Sequence, residues 1–229
     1  MIAVISGGMD SAALLWGLVR GDIVNDTTDL MAKMGLVEAV SFYYGQRHRN
    51  EIRYAAGQCH ELGVKHTIVD ISDAGLHLSG SALTDPSVPV PHGHYEEESM
   101  KQTVVPNRNA IMMNIAAGIA LARGHLAIAT AVHAGDHAIY PDCRPVFVRA
   151  LEKTIRIATD TPTFSVLAPF VNISKTDIVR DYGARVDYAM TWSCYEGGEQ
   201  HCGKCGTCVE RIEAFTDSNT EDPTEYKTA

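Results

Sequence analysis

Short apolar runs rich in β-branched residues alternate with helical segments through most of this chain, and that alternation restricts its fold more than any other feature. Strands separated by helices must run parallel, because only a crossover can return the chain to the same end of a sheet. The expected fold is therefore α/β: a Rossmann-like parallel sheet with helices on both faces. Residues 1–5, 37–44, 66–71, 126–132 and 164–170 read as its strands. Helices are expected from residue 12, over 49–62 with Gly63 closing it, over 110–122, and from Pro145 to about residue 158. A further helix starts after Ser174, whose hydroxyl and Asp177 three residues on form a capping box. The 110–122 helix is apolar nearly all round and should be buried. Residues 21–33 read as a loop or short helix, and 72–105 as a long, proline-containing loop of the kind that carries function.

The first strand runs into Ser6-Gly7-Gly8-Met9-Asp10-Ser11 and then into helix. A strand, a tight glycine turn and a helix start present backbone N–H groups to an anion. Gly7 and Gly8 let a phosphate approach the backbone, Ser6 and Ser11 add hydroxyls, and Asp10 is placed to help hold Mg²⁺. The expected nucleotide-phosphate site is Ile5 to Ala12: Ile5, Ser6, Gly7, Gly8, Met9, Asp10, Ser11 and Ala12. No Lys-Ser/Thr pair follows the glycines, so this is not a Walker loop.

The 229 residues suffice for one substantial core with a small appendage. A net charge of −9 argues against a broad grip on nucleic acid, and no apolar run is long enough for a bilayer. The start lacks a basic n-region or cleavage site, which points to a cytoplasmic protein. Six cysteines in such a compartment are ligands or free thiols rather than disulfides.

Four of them, Cys194, Cys202, Cys205 and Cys208, cluster near the C-terminus. Overlapping Cys-x-x-Cys spacings with intervening glycines let three sulfurs fold round one ion, and Cys194 closes a tetrahedral set suited to a structural Zn²⁺. An iron–sulfur cluster is the rival, and His201 a lesser alternative ligand. The expected layout is an α/β domain over residues 1–190, a zinc-binding segment over 191–215 and a polar, disordered tail over 216–229.

SGGMDS resembles the loop of ATP pyrophosphatases (PP-loop enzymes), which split ATP between the α and β phosphates. Together with FYYGQRHRNEI, SALTDPSVPVP, VPNRNAIM, HAGDHAIYPDCRPVFVRAL and HCGKCGTC, in this order, it resembles the 7-cyano-7-deazaguanine synthase family. The resemblance implies a ligase that takes 7-carboxy-7-deazaguanine, ammonia and ATP to the nitrile through an acyl-adenylate and an amide, with Mg²⁺ and Zn²⁺. It implies a homodimer, with neither membrane nor direct nucleic-acid partner.

On that reading Asp10, Ser11, Arg108 and Lys175 serve catalysis, and Arg47 joins the cations facing phosphate or carboxylate. Tyr44, Gln46, Arg47, Asn109, Asp136, Tyr140, Asp142 and Arg144 would bind the deazaguanine. Ion pairing at the surface is the plainer role for Arg47, Arg108 and Lys175. His133 and His137 either shuttle protons or fix their loop, and Cys143 reads as a buried small hydrophobe more readily than a thioester nucleophile. The stretch 25–34 is longer than the family leads one to expect. Three alternatives stay open: an enzyme that stops at the amide, a tRNA-modifying PP-loop enzyme, and a non-catalytic zinc-dependent nucleic-acid-binding module.

Overall fold

A computed structural model describes residues 1–23, 36–78, 80–94 and 97–227. The segment 25–34, expected to be longer than in the family, lies outside the described residues. Five parallel strands, β1 (Ile2–Val4), β2 (Glu38–Tyr43), β3 (Lys65–Asp70), β4 (Ala127–Ala129) and β5 (Ser165–Leu167), lie in the order β3-β2-β1-β4-β5. Register is set by pairs such as Ala3 with Ala39, Ile2 with Ile128, and Ile128 with Val166. The helices are α1 (Met9–Arg20), α2 (Asn50–Glu61), α3 (Arg108–Ala122), α4 (Pro145–Thr159), α5 (Lys175–Tyr182) and α6 (Gly206–Asp217).

Alternate residues of β1 feed two cores, as a sheet covered on both faces requires. Ala3 and Ile5 pack with α1, α5 and α6 through Leu14, Leu15, Val179 and Phe215. Ile2 packs on the other face with α3 and α4 through Met113, Ala117, Leu151 and Ile155. The Ser174–Asp177 capping box is present, with Asp177 N–H donating to Ser174 Oγ at 3.1 Å.

Three expectations need adjustment. β4 and β5 are shorter than the apolar runs that contain them, because residues 130–132 leave the ladder to line a cavity. α3 begins at Arg108 rather than Ala110, and it is not buried all round: Met113, Ala116, Ala117 and Ala120 face inward while Asn114 and Gly118 are exposed. The tail is not disordered through residue 227. The Arg211 guanidinium, wholly buried, pairs with Asp222 at 3.1 Å, Tyr226 Oη donates to Asp222 at 2.6 Å, and Lys227 N–H donates to His201 O. Composition suggested a solvated segment, and one buried cation needing a counter-charge anchors it instead.

Candidate active site and metal centre

β1 lies at the switch point of the sheet, where the chain has turned to β2 on one side and to β4 on the other, and ligands bind beyond the strand ends there. A cavity of about 240 Å³, open to solvent, occupies that position beyond β1, β2 and β4. The loop after β1 forms its floor. Gly7 adopts φ +96°, and a Cβ there would sit 2.0 Å from the Glu51 carbonyl, so only glycine lets α2 pack against this loop. Ser11 Oγ accepts from Gly7 N–H at 3.1 Å, and Ser6 Oγ accepts from Gly8 N–H at 3.1 Å. Met9, Asp10 and Ser11 form the first turn of α1, whose N–H groups have no partner within the helix.

A charged cluster stands over the loop. Lys175 Nζ lies 3.2 Å from Asp10 Oδ2 and 2.5 Å from Glu210 Oε2. His133 Nε2 lies 3.8 Å from Asp10, 3.6 Å from Asp136 and 3.8 Å from Glu210, while its Nδ1 accepts from Gly135 N–H. The imidazole thus both fixes its loop and faces the carboxylates. Burial works against the Lys175 charge, but Asp10, Glu210 and Asp136 outweigh it and hold the ammonium protonated. Asp10 Oδ1 is buried and makes no hydrogen bond among the described residues. That oxygen suits a hard divalent cation such as Mg²⁺.

The same cavity is also lined by Tyr44, His48, Glu51, Arg108 and Tyr195. Arg108 donates to Tyr44 Oη at 3.3 Å and lies over its ring. Among the described residues no carboxylate pairs with it. Glu51 is buried; Gln46 Nε2 donates to its Oε1 at 3.0 Å, yet burial still pushes the carboxyl up to about 7. An acid whose pKa rises on folding adds stability below its unfolded value and loses it as pH climbs through the folded one. Glu51→Gln should therefore stabilise the ligand-free protein by about 3 kcal/mol at pH 8 and by less than about 1 kcal/mol at pH 5. Urea denaturation at the two pH values checks this, and equal effects would count against it.

Of the residues named from sequence, Ile5, Ser6, Gly8, Met9, Asp10, Ser11, Tyr44, Arg108, Asn109, Asp136, Tyr140 and Lys175 meet at this cavity. Others stand behind it. Gly7 and Ala12 are buried, the first against α2. Gln46 is fully engaged, its amide donating to Phe42 O and Glu51 and accepting from Tyr44 N–H. Arg47 donates to Asp85 O and Val88 O and so anchors the long loop. Asp142 accepts from Asn109 N–H at the start of α3, and Arg144 donates to His137 O. Those four polar side chains spend their hydrogen bonds on the fold. Burial pushes the Cys143 thiol up, and its sulfur accepts from Asn109 Nδ2, which suits a packing role.

Glu51 and Glu210 were not singled out from sequence. Glu51 shares the buried stripe of α2 with Ala55, Gln58 and Cys59, and a carboxylate at a core position of an amphipathic helix was the available signal.

The sulfurs of Cys194, Cys202, Cys205 and Cys208 lie within 4.8 Å of one another. Tetrahedral Zn–S bonds of about 2.3 Å place sulfurs about 3.8 Å apart, so small inward shifts would close the set on one ion. His201 does not join it, because its Nε2 accepts Ser193 N–H at 3.0 Å. The segment is tied to the cavity floor: Trp192 N–H donates to Gly7 O at 3.0 Å.

Among the described residues no helix is long and apolar enough to cross a membrane. The family model described as "Queuosine biosynthesis protein QueC" matches residues 1–219. A Rhizobium rhizogenes (strain K84) protein named 7-cyano-7-deazaguanine synthase is 54% identical over 229 residues, spanning 99% of this chain and 91% of its own. The protein of that name from Rhizobium meliloti (strain 1021) is 54% identical over 98% of this chain and 91% of its own. Among solved structures, the U34-tRNA thiolase NcsA from Methanococcus maripaludis aligns at 16% identity with a TM-score of 0.47, covering 80% of this chain and 55% of that one. A match over nearly the whole chain, with relatives at this identity, places it: this chain belongs to the QueC family of queuosine biosynthesis proteins.

Proposed function

We propose that this protein makes 7-cyano-7-deazaguanine from 7-carboxy-7-deazaguanine, ammonia and ATP. The observation that carries the reading is Lys175, buried between Asp10 and Glu210 directly over the glycine loop. A carboxylate is a poor electrophile. Its oxygen attacks the α-phosphorus of ATP, pyrophosphate leaves, and the acyl-adenylate forms. Ammonia then displaces AMP to give the amide and gives up a proton. A further ATP adenylates the amide oxygen, releasing pyrophosphate and one N–H proton, and loss of AMP with the remaining N–H proton leaves the nitrile.

The residues suit these demands. The N–H groups of the first turn of α1, which have no partner within the helix, suit the departing pyrophosphate, and Lys175 offsets charge building on it. Arg108, without a carboxylate partner among the described residues, suits the substrate carboxylate or the α-phosphate. His133 and Glu210 are within reach of protons released beside Asp10. Asp10 and Asp136 would hold Mg²⁺, which supplies charge neutralisation between phosphates. The four thiolates would hold Zn²⁺ with no open position, a structural role.

Incubation with the acid, ammonium, ATP and Mg²⁺ should yield AMP, pyrophosphate and a product whose mass is that of the nitrile. Accumulation of the amide would reassign the protein to a one-step amide synthetase. Absence of AMP would overturn the reading altogether.

A further inference from the structure

The wall of the cavity holds two buried polar side chains, His48 and Glu51, that the proposed chemistry does not employ. Glu51 Oε1 takes one hydrogen bond, from Gln46, but Oε2 lies 3.6 Å from His48 Nε2, beyond hydrogen-bond range. His48 is 4% exposed, and its buried Nδ1 makes no hydrogen bond among the described residues. A buried acceptor left unmatched, as His48 Nδ1 is, is costly, and both side chains lie on the wall of an open cavity. Flat apolar surfaces flank them. Phe42 and Tyr44 line the same wall, and the Tyr195 ring lies 5.3 Å from the imidazole.

We propose that Glu51 and His48 read the ring N–H and 2-amino edge of the substrate base, an assignment that rests on the proposed function. An aminopyrimidinone ring presents two adjacent donors on that edge, which a single carboxylate can accept together. The second amino hydrogen then falls to a neutral imidazole nitrogen. Burial, reinforced by Arg108 and Arg47, brings the His48 pKa down to about 3, so the ring is neutral when the protein works and can accept.

Adenine offers a donor beside a lone pair on its corresponding edge, and that lone pair would meet the carboxylate oxygen. The pair thereby sorts two similar heterocycles, keeping the base of ATP out of the acid's seat. Its position is fixed relative to the phosphates, because α2 carries Glu51 and touches the loop at Gly7.

The test compares 7-carboxy-7-deazaguanine with its counterpart lacking the 2-amino group, on the wild type and on Glu51→Gln, by calorimetry and by kcat/KM. The wild type should prefer the amino compound by about 10- to 100-fold, and Glu51→Gln should bring that preference within about threefold while the KM for ATP moves less than about twofold. A preference that survives in Glu51→Gln overturns the assignment, and so does a loss that falls on ATP instead. A ligand methylated at the ring N–H, tested on the wild type, removes dependence on the variant's folding; binding as tight as the parent's would also overturn it. Failure of the wild type to form AMP from the acid refutes the proposed function. Turnover without 2-amino preference refutes this inference alone.

Discussion

Lys175→Met should lower nitrile formation about 10²- to 10³-fold while the protein remains folded. The ammonium is 8% exposed and touches both Asp10 and Glu210, so its charge is little screened by water. Removing it takes away the side-chain ammonium between Asp10 and Glu210, where leaving-group charge would build. Stability should fall as well, by about 3–5 kcal/mol at most, since breaking one partner of a buried pair strands the other. Glu210 moderates that loss, because burial already raises its pKa and it can take up a proton. Lys175→Arg keeps the charge but brings a wider, planar head that does not fit the narrow gap between the two oxygens, so it should rescue only in part. AMP release measured beside near-ultraviolet circular dichroism separates chemistry from folding. Activity within tenfold of wild type in the folded Met variant would mean that the phosphates are anchored elsewhere.

Cys208→Ser should empty the metal centre and disable the enzyme, although no cysteine of the cluster touches the glycine loop. Cys205 and Cys208 stand at the start of α6, and the same helix carries Thr207 and Glu210 to the cavity and Arg211 to the core. Arg211 donates to Thr191 Oγ1, Tyr188 O and Asp222, which links the helix to the strand-like segment holding Trp192. Loss of the metal therefore unravels a piece that positions Glu210 against Lys175 and Trp192 against Gly7. Structural zinc binding is worth about 10 kcal/mol or more in small domains, comparable to the whole stability of a chain this size. The expected results are metal content near zero, a lowered Tm and activity reduced in step with the folded fraction. Metal retained at one ion per chain would show that three thiolates and another ligand suffice.

Much of this design follows from local pattern. The sheet was legible because strand and helix periods are short-range, and the sole topology open to alternating elements is a parallel sheet. SGGMDS pointed to a glycine turn running into a helix start, and the structure has that turn, with Gly7 at positive φ and α1 beginning at Met9. The cysteine spacing pointed to a single cluster because three of the four fall within seven residues, and the four sulfurs do lie within 4.8 Å of one another.

Residue type alone could not say which polar side chains face the cavity and which serve the scaffold. Gln46 and Arg47 sit two and one positions before His48, yet the first two hold backbone while the third faces the cavity. Asp142 and Tyr140 divide in the same way on their loop. Direction depends on how each turn leaves its strand, a property of packing rather than composition. The encounter of Asp10, His133, Lys175 and Glu210 likewise unites four distant segments. Family and architecture are thus written in the order of the residues, whereas the cluster of charged side chains exists only once the sheet brings four strand ends and helix starts to one edge.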